Sequence, residues 1–140
     1  MPQNITTGYR ALVDAATKEI ETLPVEQAIG LAGRDDTVLV DIRDIRELQR
    51  DGKVPGAVHV PRGMLEFWID PNSPYHKPVF NQDKKYVFFC AGGLRSALAA
   101  KAAQDMGLKP VAHIEGGFGA WKKANGPVEP PTHPPAEKKA

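Results

Sequence analysis

Residues 86–96 read YVFFCAGGLRS, and this stretch decides the fold of the chain. Its first four residues are apolar and predict a buried β-strand that ends at Cys90, followed by a glycine-rich turn and an alanine-rich helix that begins at Ser96. A thiol that faces a helix N-terminus and Arg95 is favoured as the thiolate, which is the nucleophilic form. We therefore expect Cys90, the single cysteine of the chain, to be a reactive nucleophile.

Strands alternate with helices on both sides of this stretch. The predicted strands are 21–23, 38–42, 57–60, 86–89 and 110–114, and the predicted helices are 7–20, 25–31, 44–50, 64–68, 96–106 and 118–124. This alternation is typical of α/β proteins, so we predict an open, mostly parallel five-stranded sheet with helices on both faces. In such sheets functional sites form at the carboxyl ends of strands, where Cys90 and Asp41 both lie.

The length of the chain, 140 residues, suits one domain with one hydrophobic core. We divide it into an N-terminal helical extension at 1–20, a folded domain at 21–128 and a disordered proline-rich tail at 129–140. The tail is rich in proline, glutamate and lysine without an apolar period, which is typical of disorder. The predicted apolar side of the first helix carries Ala11, Leu12, Ala15, Ala16 and Ile20.

The composition argues against several classes of function. With 18 basic and 17 acidic residues and no basic stripe, we expect no nucleic-acid partner. No apolar run approaches the roughly 18 residues of a membrane span, so we expect no membrane association. The four histidines lack metal-ligand spacing, and we expect neither a metal nor a cofactor. A lone cysteine and the absence of signal-peptide features at the N-terminus predict a cytoplasmic protein.

The loop after Cys90 has the composition of an anion-binding turn. Gly92 and Gly93 permit positive φ, so that consecutive amides of residues 91–96 can point at one position above the sulfur. The start of the following helix and Arg95 add positive charge there. The alternative is a buried structural cysteine followed by an ordinary glycine turn, and we favour the functional loop.

Four ordered motifs make the chain resemble the rhodanese family, whose domains carry sulfur as a cysteine persulfide. The family's active loop, Cys-x-x-Gly-x-x, matches residues 90–95. The upstream and downstream matches are Asp41, Arg43 and Glu47 for Asp-x-Arg followed by Glu, residues 52–57 for Gly-His-Ile-Pro-Gly-Ala, and Gly116, Gly117, Trp121 and residues 126–128 for the closing motif. The resemblance covers residues 20–128. Lys53 replaces a common histidine, and Arg95 is the only base in the loop.

The resemblance implies a sulfurtransferase that works by double displacement. Cys90 attacks a small-molecule sulfur donor such as thiosulfate, and the persulfide then passes its sulfur to cyanide, a thiol or a dithiol. Cys90 and Arg95 are implied to be catalytic. The substrate-binding residues of the loop are implied to be Ala91, Gly92, Gly93, Leu94 and Ser96. The sparse charge of the loop leaves the preferred donor open.

Further residues are candidates to shape the pocket. Asp41, Arg43 and Glu47 are assigned supporting roles, and for the first two we favour a salt bridge that ties a strand end to a neighbouring loop. Arg62 is predicted to bind substrate as a second positive charge, with a solvated surface arginine as the alternative. Trp68 is predicted to line the pocket, with core packing as the alternative.

Two other functions stay open on the sequence. Rhodanese-like domains also occur as catalytically weak binding or sensor modules, although these usually lack the cysteine. Related cysteine-dependent phosphatases and arsenate reductases use a Cys-x5-Arg loop, one residue longer than the Cys-x4-Arg loop from Cys90 to Arg95. The shorter loop favours a sulfur atom over a tetrahedral oxyanion.

Overall fold

The computed structural model describes residues 2–132. The strands are β1 (Glu21–Leu23), β2 (Thr37–Asp41), β3 (Val58–His59), β4 (Lys85–Phe89) and β5 (Val111–Ile114). The helices are α1 (Tyr9–Glu19), α2 (Val25–Leu31), α3 (Ile45–Asp51), α4 (Leu65–Ile69), α5 (Leu94–Asp105) and α6 (Gly117–Lys123), with 3-10 turns at Arg62–Met64 and Pro78–Phe80. Within the described residues no helix combines the length and the apolar character that a bilayer crossing requires.

The five strands form one sheet in the order β1-β5-β4-β2-β3, and every neighbouring pair is parallel. This confirms the predicted α/β class. The chain leaves β2 toward β3 and leaves β4 toward β5, so the connections run in opposite directions from two adjacent strands. The pairing of Asp41 with Phe89 places the carboxyl ends of β2 and β4 side by side. Such a reversal point opens a crevice in which open α/β sheets bind ligands.

Both faces of the sheet are buried, which explains the uninterrupted apolar runs 38–40 in β2 and 86–89 in β4. On one face Val40 and Phe88 belong to a core cluster with buried residues of α1, α4 and α5. On the other face Leu39 and Phe89 belong to a second cluster with buried residues of α2 and α6. Cys90 continues the alternation of β4 and falls on the side of α5. The strand period therefore decides which helix the sulfur faces.

Helix α1 packs into the same core as the sheet. Its buried residues are Val13 and Ala16, and Ile20 follows them with the same helical spacing. Leu12 is 50% exposed, and Ala11 and Ala15 are exposed as well, so the predicted apolar side was wrong for these three residues. Residues 13, 16 and 20 pack against the alanine-rich surface of α5. The helical period alone does not show whether this row or the adjacent row of residues 11, 12 and 15 is the buried one.

The chain stays paired beyond the last helix. Trp121 donates from Nε1 to the Pro127 carbonyl at 2.8 Å, and Val128 packs against the second core cluster. Glu129 forms an antiparallel bridge with Lys53. The predicted disordered tail at 129–140 thus begins with a paired residue, and its residues 133–140 lie outside the described part of the chain.

Candidate active site

Cys90 stands one residue beyond the end of β4, at the centre of the sheet. The residue is 1% exposed. Its Sγ accepts hydrogen bonds from the backbone N–H of Gly93 at 3.1 Å and of Ser96 at 3.4 Å. Both donors belong to the start of α5, where unpaired amides and the helix dipole favour negative charge. Two backbone N–H groups therefore point at the sulfur from the start of the helix.

Gly93 sets the path of the loop. It is the N-cap of α5 and adopts φ 101°, a left-handed conformation that glycine tolerates best. A Cβ at this position would lie 3.3 Å from the Gly116 nitrogen, a tight contact that adds to the cost of any other residue. The left-handed turn lets the helix begin at Leu94, two residues before the predicted start at Ser96. As a result Arg95 lies in the first helical turn.

The base of the loop rests on the turn at Gly116 and Gly117. The backbone N–H of Phe118 donates to the Cys90 carbonyl at 2.7 Å, and that of Gly119 donates to the Ala91 carbonyl at 3.0 Å. A Cβ on Gly117 would overlap the Cys90 carbonyl oxygen, so only glycine fits there. The candidate residues predicted from the sequence did not include Gly117, although the consecutive glycines were a visible signal.

A buried chain of hydrogen bonds lies beneath the start of α5. Ser96 is fully buried, and its Oγ lies 3.0 Å from Nδ1 of His113. The Nε2 of His113 lies 3.1 Å from Oγ1 of Thr22. Burial lowers the pKa of His113, so the neutral imidazole is favoured and one ring nitrogen donates while the other accepts. The chain connects α5 to β5 and β1 and holds the residue whose amide reaches the sulfur.

Arg95 is joined to Glu47 across the crevice between β2 and β4. Its NH1 and NH2 donate to the two carboxylate oxygens at 2.8 and 3.0 Å. The hydrogen bonds from Arg95 are the main reason that the pKa of Glu47 is lowered, and those to Glu47 are the main reason that the pKa of Arg95 is raised, with a smaller contribution from Cys90. The structure therefore brings both predicted residues to the mouth of the loop, with the arginine charge compensated.

Asp41 and Arg43 form a buried pair with each other. Arg43 donates to both Asp41 oxygens, at 2.8 Å in the shortest contact, and both side chains are 1% exposed. Arg43 also donates to the Gly52 carbonyl at 3.0 Å and places its guanidinium carbon 4.1 Å from the centre of the Phe118 ring. This is the geometry of the favoured salt bridge between a strand end and a neighbouring loop.

Arg62 and Trp68 lie in the segment that follows β3, and they contact Glu66 and Lys77 of the same segment. Arg62 donates to Glu66 at 2.9 Å in an i,i+4 pair. Trp68 packs against the core, and the Lys77 ammonium lies 5.0 Å from the centre of its ring. The roles of Arg62 and Trp68 toward a substrate stay predictions.

The residues from 2 to 132 contain no group of three or more His, Cys, Asp or Glu side chains arranged to hold a metal ion. The chemistry that the described site offers is that of one sulfur, backbone amides and a compensated arginine. A nucleophilic sulfur that receives and returns an atom fits these parts.

Comparison with known proteins matches residues 25–124 to the rhodanese-like domain. This chain belongs to the rhodanese-like family. It is 32% identical over 105 residues to the Bacillus subtilis protein named "Putative sulfurtransferase YtwF", an alignment that covers 75% of this chain and 90% of that protein. The resemblance predicted from the four motifs is thereby confirmed.

Two solved structures illustrate the range of similarity. A Rhodopseudomonas palustris protein superimposes with a TM-score of 0.89 at 67% identity, covering 92% of this chain and 99% of that one; it is described as a protein of unknown function, "Possible Tyrosine Phosphatase". The polysulfide-sulfur transferase homodimer of Wolinella succinogenes superimposes with a TM-score of 0.67 at 28% identity, covering 94% of this chain and 91% of that one.

Proposed function

We propose that this rhodanese-family protein transfers sulfane sulfur from thiosulfate or a similar small-molecule donor to a thiophilic acceptor. The observation that carries the proposal is the pair of backbone amides that donate to Cys90 Sγ at the end of the central strand. They stabilise negative charge on the sulfur before and after it receives a second atom. The donor and the acceptor react with the same sulfur one after the other, so a single nucleophile serves both steps.

The reaction has two displacement steps. In the first, the Cys90 thiolate attacks the outer sulfur of thiosulfate, the S–S bond of the donor breaks, and sulfite leaves with the electron pair. This leaves a Cys90 persulfide anion. In the second, the acceptor (cyanide in an assay, a thiol or dithiol in the cell) attacks the outer sulfur, and the Cys90 thiolate leaves and is restored. With cyanide the product is thiocyanate.

The negative charge moves from Cys90 Sγ to the outer sulfur when the persulfide forms, and we propose that the loop amides donate hydrogen bonds to it in both positions. In the persulfide the anion lies on the outer sulfur, within the turn formed by Ala91, Gly92, Gly93 and Leu94 and the amide of Ser96. Arg95 lies beside this turn and is proposed to contact the anionic part of the donor. The burial of Cys90 keeps water away from the reactive sulfur. Since the resting thiol must stay reduced, we also propose a cytoplasmic location.

The names of the relatives support sulfur transfer. The Bacillus subtilis relative is named for it, and the Wolinella succinogenes structure is that of a polysulfide-sulfur transferase. Both chains are covered over nine-tenths of their length, so the comparison includes nearly the whole of each of these proteins.

Intact-protein mass spectrometry after incubation with thiosulfate tests the proposal. We expect a gain of about 32 Da on the folded protein, lost on addition of cyanide. Cys90→Ser should show no gain and no thiosulfate:cyanide activity while unfolding at the same urea concentration as the wild type. Full activity in Cys90→Ser would contradict the assignment of the nucleophile. A wild-type protein that never carries the extra sulfur would instead favour the binding or sensor module.

Phosphatase activity is a second candidate because the Rhodopseudomonas palustris structure is described as a possible one. The length of the loop argues against it, because the Cys-x4-Arg loop from Cys90 to Arg95 is one residue shorter than the Cys-x5-Arg loop with which the related phosphatases hold a tetrahedral oxyanion. Hydrolysis of p-nitrophenyl phosphate, abolished in Cys90→Ser and faster than sulfur transfer, would make phosphatase the better assignment.

A further inference from the structure

The mouth of the site contains a carboxylate for which the sulfur-transfer steps have no use. Glu47 compensates the only basic side chain of the active loop, Arg95, through two hydrogen bonds to its terminal nitrogens. The sulfur itself is stabilised by neutral backbone amides. The full charges beside the loop therefore cancel, and an incoming donor meets peptide dipoles without a net positive charge.

Glu47 is held in place from its own side of the crevice. Its Oε2 accepts the backbone N–H of Asp44 at 3.0 Å, as part of the capping box that starts α3. The Glu47 side chain is 17% exposed, in contrast to 45% for Arg95. The carboxylate is thus held by its own helix independently of Arg95. The pair therefore does not require two freely moving side chains to find each other in solvent.

We propose that Glu47 is a specificity-determining residue, which makes the site select sulfur donors with at most one negative charge over dianions such as thiosulfate. This inference rests on the proposed sulfur transfer and names its donor class. An organic persulfide belongs to the favoured class: the Cys90 thiolate attacks its outer sulfur, the S–S bond of the donor breaks, and the donor's inner sulfur leaves as a thiolate. A dianion is still accepted, at a higher concentration.

Electrostatics sets the size of the effect. Removing one negative charge beside the loop makes the electrostatic potential at the sulfur more positive. The resulting gain in the binding free energy of a donor is proportional to the donor's charge, so the factors in affinity multiply. At the half-exposed mouth, screening limits this to about threefold for each negative charge. A dianion should therefore gain about tenfold and a monoanion about threefold, in the same variant.

Glu47→Gln is the variant that removes the charge with the least structural change. Glutamine keeps an oxygen that can accept the Asp44 amide, and it is the alternative residue of the capping box. The donors are thiosulfate and the methanethiosulfonate anion, which differ by the exchange of one O⁻ for a methyl group. We expect KM for thiosulfate to fall about tenfold and KM for methanethiosulfonate to fall about threefold.

Two further variants separate charge from structure. Asp36→Asn also removes one negative charge, here from a bidentate pair with Arg34. Asp36 directly precedes β2, at the end of the strand away from the active loop, so both KM values should stay unchanged. Glu47→Asp keeps the charge and disturbs the geometry of the pair. It should keep the wild-type ratio of the two KM values, which a purely structural role would not preserve.

Alkylation of Cys90 reads the same potential without any sulfur transfer. Since the chain has one cysteine, iodoacetate and iodoacetamide report on this sulfur alone. The ratio of the iodoacetate rate to the iodoacetamide rate should rise about threefold in Glu47→Gln and stay at the wild-type value in Asp36→Asn.

The outcomes distinguish this inference from the proposed function. If Cys90 gains sulfur from both donors but the ratios do not change in Glu47→Gln, the donor selection is wrong and sulfur transfer stands. If the alkylation ratio rises but no donor ever loads Cys90, sulfur transfer is wrong and, with it, the donor class. Failure of Cys90 to react with either reagents or donors in the folded protein would overturn both.

Discussion

Two arginine–carboxylate pairs lie near the carboxyl end of β2, and they differ in their surroundings. The Asp41–Arg43 side chains are each 1% exposed, whereas Glu47 is 17% and Arg95 is 45% exposed. Each arginine donates to both oxygens of its carboxylate. A buried charge must keep its partner, while a half-exposed pair can be opened by a competing anion. The same pairing chemistry thus stabilises the fold in one place and, as we propose, acts on the substrate in the other.

The largest effect should come from breaking the buried pair. Arg43→Met leaves Asp41 charged and buried without its partner, and it also removes the hydrogen bond to the Gly52 carbonyl. We expect a loss of about 3–5 kcal/mol in the free energy of unfolding. Urea unfolding followed by circular dichroism measures it. A loss below about 1 kcal/mol would mean that burial does not distinguish the two pairs.

The backbone contact that connects the two regions comes next. Phe118 stacks with Arg43 through its ring and holds the Cys90 carbonyl through its amide. Gly117→Ala would place a Cβ in overlap with the Cys90 carbonyl oxygen, at a φ of 59° that alanine rarely adopts. We expect a loss of about 2 kcal/mol in the free energy of unfolding together with slower persulfide formation. Gly33→Ala is the matched control, since it has φ 80° with open space around it and should leave persulfide formation intact.

Removing the exposed arginine should affect substrate use more than stability. Arg95→Met leaves the Glu47 charge uncompensated at the mouth, so KM for thiosulfate should rise about tenfold while the free energy of unfolding falls by less than about 1 kcal/mol. The double variant Arg95→Met/Glu47→Gln should return part of the lost affinity, because both charges are then absent. Steady-state kinetics at low ionic strength shows the contrast best. The comparison of the two pairs would be contradicted if Arg95→Met lowered the free energy of unfolding as much as Arg43→Met does and left KM for thiosulfate unchanged.

The smallest effect is the acid sensitivity of the exposed pair. The pKa of Glu47 is lowered from its ordinary value of 4.5 by Arg95, so the folded protein holds this proton less tightly than the unfolded chain. The stabilisation is complete above pH 4.5 and is lost as the pH falls below that value. Between about pH 6 and pH 3 the wild type should lose a few tenths of a kcal/mol more than Glu47→Gln. An equal loss in the two proteins would argue that the pair is open in solution.

Much of the site was predictable because it is local in the sequence. The strand before Cys90, the glycine turn and the helix after it follow from period and turn chemistry within 11 residues, 86–96. The four motifs then indicated the family, which the match to residues 25–124 confirms. The helix start at Leu94 was missed by two residues, because the left-handed conformation of Gly93 ends the turn at once.

The contacts that the sequence did not predict join residues far apart in the chain. Arg95 lies 48 residues from Glu47, and Ser96 lies 17 residues from His113. Arg95, Glu47 and Ser96 were each singled out in the sequence, but nothing in a single sequence states which of several carboxylates or hydroxyls an arginine or a histidine will meet. The exposed side of α1 was misassigned for the same reason, since the partner surface on α5 decides which row of α1 is buried.

By itself the sequence determined the fold class, the position of Cys90 at the end of a strand and the glycine turn that follows it, because strand period, helix period and glycine turns act over a few residues. Only the tertiary structure decided the electrostatics of the mouth. The order β4-β2 brings the helix after β2 next to the loop after β4, and this adjacency turns a capping glutamate into the partner of the active-loop arginine.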